Sequence, residues 1–179
     1  MTYRPKLLIL GYGRHGKDTV AEIIRDKYGL QFTSSSYFAA ERVMVPYFAS
    51  IGQSYSTLDE CYDDRSNHRA LWHDKIAEYN SPNKDKLARE LLNSGCDMYV
   101  GMRCEKELAA SRYLFDAICW VDSSDRGIPP EPKSSCTVEY DASHMWLIKN
   151  SAGLEELAAR VEDFMQFVEM QDSMERILA

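Results

Sequence analysis

The sequence predicts a three-layer α/β fold, a mainly parallel five-stranded sheet with helices on both faces. Three observations carry this reading. Short apolar runs alternate with helical patterns, as parallel strands joined by right-handed crossovers require. The first run, Lys6–Leu10, enters a glycine-rich turn that opens directly into a helix. Near the C-terminus, Leu154, Leu157, Val161, Phe164 and Val168 recur at steps of three and four, an apolar stripe suited to packing on a sheet.

Taken in order, Lys6–Leu10 is a central strand and Thr19–Tyr28 a helix with Val20, Ile23 and Ile24 on one face. Gly29 stands where that helix needs a left-handed cap. Leu30–Thr33 is a second strand. A helix from Tyr37 to about Phe48 follows, bent or shortened by Pro46. Gly52–Thr57 reads as loop, and Asp59–Tyr79 as one or two helices inserted between strands. Ser81-Pro82 suits an N-cap and first helical position for a helix carrying Leu87, Leu91 and Leu92 and ending near Gly95. Met98–Met102 is a third strand, Glu105–Phe115 a helix, Ala117–Asp122 a fourth strand, Gly127–Pro132 a loop and His144–Lys149 a fifth strand. The expected organisation is one domain over 1–179, with a helical acceptor-binding insertion at about 37–95. For the last helix, packing on the sheet is the first reading and a homodimer contact the second.

The chain has 179 residues, of which 45% are apolar and 27% charged, an ordinary globular composition. Leu7–Leu10, bounded by Lys6 and Gly11, is too short for a signal-peptide core, so the expectation is a cytoplasmic protein with reduced thiols. The five cysteines form no C-x-x-C pair. A net charge of −7 argues against coating nucleic acid through bulk electrostatics. The charge is uneven, however. Residues 1–30 hold six Lys or Arg against three acids, so an anionic substrate can dock at the basic end.

The strongest chemical signal is Gly11-Tyr-Gly-Arg-His-Gly16-Lys17-Asp18-Thr19. It has the G-x4-G-K spacing of a phosphate-binding P-loop, between a strand and a helix. Gly11, Gly13 and Gly16 let consecutive N–H groups converge on one anion, with the helix dipole beneath. Lys17 adds a mobile charge at the β- and γ-phosphates, which points to a bound nucleoside triphosphate, with ATP and GTP both open, and to a P-loop NTPase or nucleotide-kinase fold. Arg14 and His15 lie within the loop; Arg14 suits charge on a transferring phosphoryl group, and His15 suits packing or hydrogen bonding. The hydroxyl that usually follows the lysine is replaced by Asp18, with Thr19 next. Two readings stand: Asp18 holds Mg²⁺ directly or through water, or it caps the helix while Thr19 meets phosphate.

The Gly-Arg-His-Gly-Lys-Asp-Thr loop, Tyr99-Val-Gly-Met-Arg103 with Glu107, and Asn150-Ser-Ala-Gly153-Leu-Glu-Glu-Leu157 resemble the phage-type P-loop nucleotide kinases, which include deoxynucleoside monophosphate kinases. Ser34–Glu41, Asp64–Trp72 and Pro129–Cys136 look closer to the phage 5-hydroxymethyluracil DNA kinases. The resemblance spans about residues 7–165. It implies ATP and Mg²⁺ as cofactors, DNA containing 5-hydroxymethyluracil as partner, and phosphorylation of the base's hydroxymethyl group on the way to thymidine hypermodification. A free deoxynucleotide is the alternative acceptor, and a non-catalytic nucleotide-dependent binding module an alternative of another class.

A neutral hydroxyl acceptor benefits from a carboxylate to take its proton, whereas a phosphate acceptor needs cationic clamps. The second strand ends in Ser34, Ser35 and Ser36, candidate acceptor contacts, with no acid at its tip. Glu41, beside Arg42, and Asp64 are equal candidates for the base. Arg65 and Arg69, four apart, are expected on one helical face with Trp72 beside them, a pattern suited to phosphate contact and base stacking. The alternative is pairing of these arginines with Asp63 and Asp64 around a buried tryptophan. Where related kinases carry Asp-x-Arg, this chain has Gly101 and Arg103, so one expected carboxylate is missing. Arg103 faces acceptor or γ-phosphate, or else pairs with Glu107. Arg126, after the fourth strand, falls in the region of lid or adenine contacts.

Overall fold

The computed structural model describes residues 4–178. Its core is a five-stranded sheet in which every neighbouring pair is parallel. Strand β1 (Leu7–Leu10) is central, β2 (Phe32–Ser34) and β3 (Met98–Val100) lie to one side, and β4 (Ala117–Asp122) and β5 (Trp146–Lys149) to the other, in the order β2-β3-β1-β4-β5. The predicted α/β fold, a mainly parallel five-stranded sheet with helices on both faces, is therefore the one observed. All four β1 residues are buried, because both faces of the central strand are covered.

Alternation along the strands sorts side chains into two cores. Leu7, Ile9, Val100, Cys119, Val121 and Ile148 pack against α1 (Lys17–Tyr28) and the long C-terminal helix (Leu154–Leu178). Leu8, Leu10, Tyr99, Ile118 and Trp120 face the opposite layer. That layer consists of α2 (Ser35–Ala39), α3 (Val45–Ser50), α4 (Leu58–Asp63), α5 (Arg69–Tyr79) and α6 (Lys86–Asn93). The remaining helices are α7 (Glu105–Ser111), and α8, the C-terminal helix already given.

Several boundaries differ from expectation, each for a physical reason. The helix over 37–48 starts earlier, at Ser35, because the Ser34 hydroxyl accepts the Tyr37 N–H at 3.1 Å. It widens into a π-helical segment at Ala40–Met44, and Pro46 then sits in the first turn of α3 rather than ending a helix. Ser81-Pro82 does not start α6, which begins at Lys86. Instead the side-chain Oδ1 of buried Asn80 accepts the Leu87 N–H at 3.1 Å and fixes the entry. Leu154 is exposed at the mouth of α8, while Leu157, Val161, Phe164 and Val168 are buried as their spacing predicts. Beyond Val168 the helix presents Met170, Met174, Ile177 and Leu178 to solvent.

Residues 123–145, joining β4 to β5, form no α-helix; they make a 3-10 turn at Ser124–Arg126 and then run irregularly. Buried Cys136, Val138 and Met145 pin this strap to the core. None of the helices among the described residues is long and apolar enough to cross a membrane.

Candidate active site

The loop between β1 and α1 has the form its glycines predict. Gly11 has φ +140°, and a Cβ there would collide with the Val121 carbonyl. Gly16, at φ +94°, caps α1 where a Cβ would strike the Asn150 amide. Arg14 is the one non-glycine residue with positive φ among those described, at 65°. A left-handed residue within such a loop is the conformation that turns neighbouring N–H groups to one side.

Three groups from the ends of β4 and β5 hold the loop. His15 is buried, and its Nδ1 accepts the Ser123 N–H at 2.9 Å. That acceptor role places the ring proton on Nε2. The His15 carbonyl takes two donors, Ser123 Oγ at 2.9 Å and Asn150 Nδ2 at 3.0 Å. His15 is thus a structural pin, in line with its packing and hydrogen-bonding reading. Ser123 belongs to no motif in the sequence, and Asn150 stands in the segment that resembles a strand–helix junction.

Lys17 Nζ donates to the Tyr12 carbonyl at 2.7 Å, which folds the ammonium back over the loop. Burial holds its pKa below the usual lysine value, with nearby Arg103 acting in the same direction. Asp18 is exposed in the first turn of α1, where its charge complements the helix N-terminus. Its free carboxylate fits a hydrated Mg²⁺. Among the described residues no group of three or more His, Cys, Asp or Glu side chains could hold a metal. A magnesium ion would therefore draw most of its ligands from phosphates and water, as this ion commonly does.

A carboxylate that sequence reading missed lies on the outer lip of the loop. Glu131, from the strap, accepts the Gly13 N–H at 2.7 Å through Oε2 and pairs with Arg103 through Oε1. Gly13 leaves room for it: a Cβ there would lie 3.2 Å from the carboxyl carbon. Burial opposes ionisation of Glu131, but Arg103, the Gly13 N–H and Lys17 together hold its pKa below the usual carboxylate range. The acid missing at position 101 bears on this arrangement. A side chain at Gly101 would meet Ser35 Oγ at 3.4 Å and Lys17 Cε at 3.7 Å. Two carboxylates act on Lys17, Asp18 first and then Glu131 from the strap.

Arg103 does not pair with Glu107. Glu107 accepts Asn80 Nδ2 at 2.9 Å, and burial pushes its carboxyl up. Of the three serines, Ser34 caps α2, Ser35 is buried with its Oγ 3.5 Å from the Gly101 carbonyl, and Ser36 is half-buried. Thr19 is half-buried in α1, and Arg126 is exposed beside the left-handed Gly127.

The expected basic and aromatic face at 65–72 is not formed. Arg65 lies in a 3-10 turn (Asp64–Ser66) and Arg69 begins α5, so the two do not share a helix. Arg65 donates to the Tyr62 carbonyl at 2.9 Å and stacks over the Tyr62 ring at 3.9 Å. Trp72 is 5% exposed and belongs to the core, so no base can stack on it. Asp64 accepts Tyr55 Oη at 2.6 Å and Asn67 Nδ2 at 2.6 Å and lies 3.0 Å from His68 Nε2. The Tyr55 bond and then the Asn67 bond hold its pKa below the ordinary range, the opposite of what a general base needs. Glu41 is exposed in the π-helical segment, and Arg42 lies over the Phe38 ring at 5.3 Å.

No protein-family model and no curated protein matches this chain. Among solved structures it is similar to a gluconokinase from Sinorhizobium meliloti 1021, with 13% identity, 94% of this chain and 98% of that chain covered, and a TM-score of 0.47. A sugar kinase from Janibacter sp. HTCC2649, solved without ligand, gives 12% identity, coverage of 92% and 95%, and a TM-score of 0.46.

Proposed function

We propose that the chain is an ATP-dependent phosphotransferase whose acceptor is the hydroxymethyl group of 5-hydroxymethyluracil in DNA. The observation that carries the phosphotransferase reading is the loop itself. Strained glycines, a left-handed Arg14 and a half-buried, folded-back Lys17 are assembled at the C-terminal end of the central parallel strand. That arrangement has little use except to hold a polyphosphate.

The acceptor reading rests on two supports. One is the resemblance of three sequence segments to kinases of that class. The other is the chemistry around the loop. A phosphate acceptor calls for free cationic clamps, yet Arg103, at the lip of the loop, is paired with Glu131. Ser34 is spent on the cap of α2, which leaves Ser35, beside Gly101 near Lys17, and half-buried Ser36 as the hydroxyls that suit a neutral acceptor.

In this reading the loop amides and Lys17 hold the β- and γ-phosphates, with Arg14 on the charge of the moving group. Asp18 would hold a hydrated Mg²⁺, which would neutralise charge on the phosphates. ATP supplies the γ-phosphoryl group: its bond to the β,γ-bridging oxygen breaks as the bond to the acceptor oxygen forms, and ADP departs. Glu41, which has no hydrogen-bond partner among the described residues, takes the hydroxyl proton.

The test is incubation with γ-labelled ATP and either hydroxymethyluracil-containing DNA or free deoxynucleotides. Label in the DNA is expected. Label only in nucleoside diphosphates would replace this acceptor with a free nucleotide. Nucleotide binding without acceptor-stimulated turnover would leave a binding module.

A further inference from the structure

The carboxylate of Glu131 stands where an anion of the bound nucleotide would stand. It takes an N–H of the loop, that of Gly13, at 2.7 Å, and it pairs with Arg103. It also lies within electrostatic reach of Lys17, the residue that serves the β- and γ-phosphates. Lys17 Nζ rests on the Tyr12 carbonyl, one residue from Gly13. The helix N-terminus at Gly16–Lys17 lies at the other end of the loop and serves the inner phosphates. Glu131 therefore sits at the γ end.

We propose that Glu131 is a specificity-determining residue of the phosphate site: it holds the γ-phosphate position until a ligand bearing that group displaces it. Arg103 then passes from carboxylate to phosphate. The proposal rests on the P-loop reading above but not on any particular acceptor.

The physical logic is an exchange of like for like. A carboxylate and a phosphate oxygen compete for one N–H and one guanidinium beside the Lys17 ammonium, and both cannot stay. A diphosphate leaves the γ end untouched, so Glu131 need not move. A triphosphate brings enough charge to replace it, at the cost of a charge-assisted contact. Glu131 belongs to the irregular strap, held by Cys136 and Val138 beyond it, so displacement requires a local rearrangement and no unfolding of the sheet. Gly13 is the complementary feature, since any side chain there would crowd the carboxylate.

The experiment is calorimetric titration of the full chain with Mg²⁺ and either ADP or the non-hydrolysable analogue in which methylene bridges the β- and γ-phosphates. Wild type, Glu131→Gln and Glu131→Asp are compared. Gln keeps the shape without the charge, and Asp keeps the charge but withdraws it from Gly13. Removing the competing ion should raise affinity for the triphosphate analogue about tenfold to a hundredfold in Glu131→Gln, from the worth of one charged hydrogen bond. Glu131→Asp should gain less, and ADP affinity should change less than about twofold in both. Equal gains for both ligands, no gain, or a loss for the analogue would overturn the proposal while leaving ADP binding to support the P-loop reading. Failure of every form to bind either nucleotide would overturn both together.

Discussion

The two layers that cover the sheet are built on different principles. One consists of α1 and α8, long helices whose Val20, Ile24, Leu157, Val161 and Phe164 form an aliphatic-rich interface with β1 and its neighbours. The other is made of short helices interrupted by π and 3-10 turns and cemented by aromatic rings, such as Phe48 against Tyr55 at 5.2 Å and Tyr37 against Tyr62 at 5.2 Å. In the first layer regular packing holds the loop's helix in a fixed place. In the second, each short element turns the chain sharply, and rings and caps stand in for helical length. The contrast teaches that phosphate handling and acceptor recognition, if the proposed function holds, are supported by separate layers. Damage to one should be measurable apart from damage to the other.

The largest effect that would sharpen this contrast is in the irregular layer. Trp72→Ala opens a cavity in the aromatic core and should cost about 3–5 kcal/mol of stability, read by urea unfolding. If Trp72 instead stacked on a base, the loss would appear in DNA use, with unfolding little changed. Its Nε1 has no partner in the structure, so part of the cost of burying it is already borne by the native fold.

In the regular layer the effect should fall on rate. Lys17→Ala should lower phosphoryl transfer by roughly 10²–10³-fold, the usual worth of one transition-state charge donor. Stability should stay the same or rise, because burial already disfavours the charged ammonium. A Lys17→Ala protein that keeps near-normal transfer would break the contrast at its strongest point.

How much of this was readable without coordinates follows from the range of the forces. The cradle was legible because glycine spacing, a strand and a helix start are all local, within residues 7–28. The apolar stripe of α8 was legible for the same reason, except Leu154, which lies before the helix reaches the sheet. Glu131 was not legible. It reaches Gly13 across 118 residues of sequence, in a strap with no periodicity of its own. The Pro129–Cys136 stretch stands out only by resemblance, and a lone glutamate in a proline-rich loop carries no signal of its contacts. The spacing of Arg65 and Arg69 misled because helical periodicity assumes an unbroken helix. A 3-10 turn, stabilised by Asp64 accepting from Asn67, breaks it.

The smallest effect concerns the seam between the layers and the loop. Asn150 donates to the His15 carbonyl and fills the space that a side chain at Gly16 would need. In Asn150→Ala the His15 carbonyl keeps its Ser123 hydroxyl donor, so no acceptor is stranded. The stability cost should therefore be near the value of one ordinary hydrogen bond, about 1 kcal/mol. Nucleotide affinity should fall in step, since a looser His15 blurs the positions of the amides on either side of it. A thermal shift of the apo protein together with ADP titration would separate the two contributions. Lost stability with unchanged ADP affinity would mean that the amides are held by Gly11 and α1 alone. The ends of β4 and β5 would then be supports for the fold rather than for the cradle.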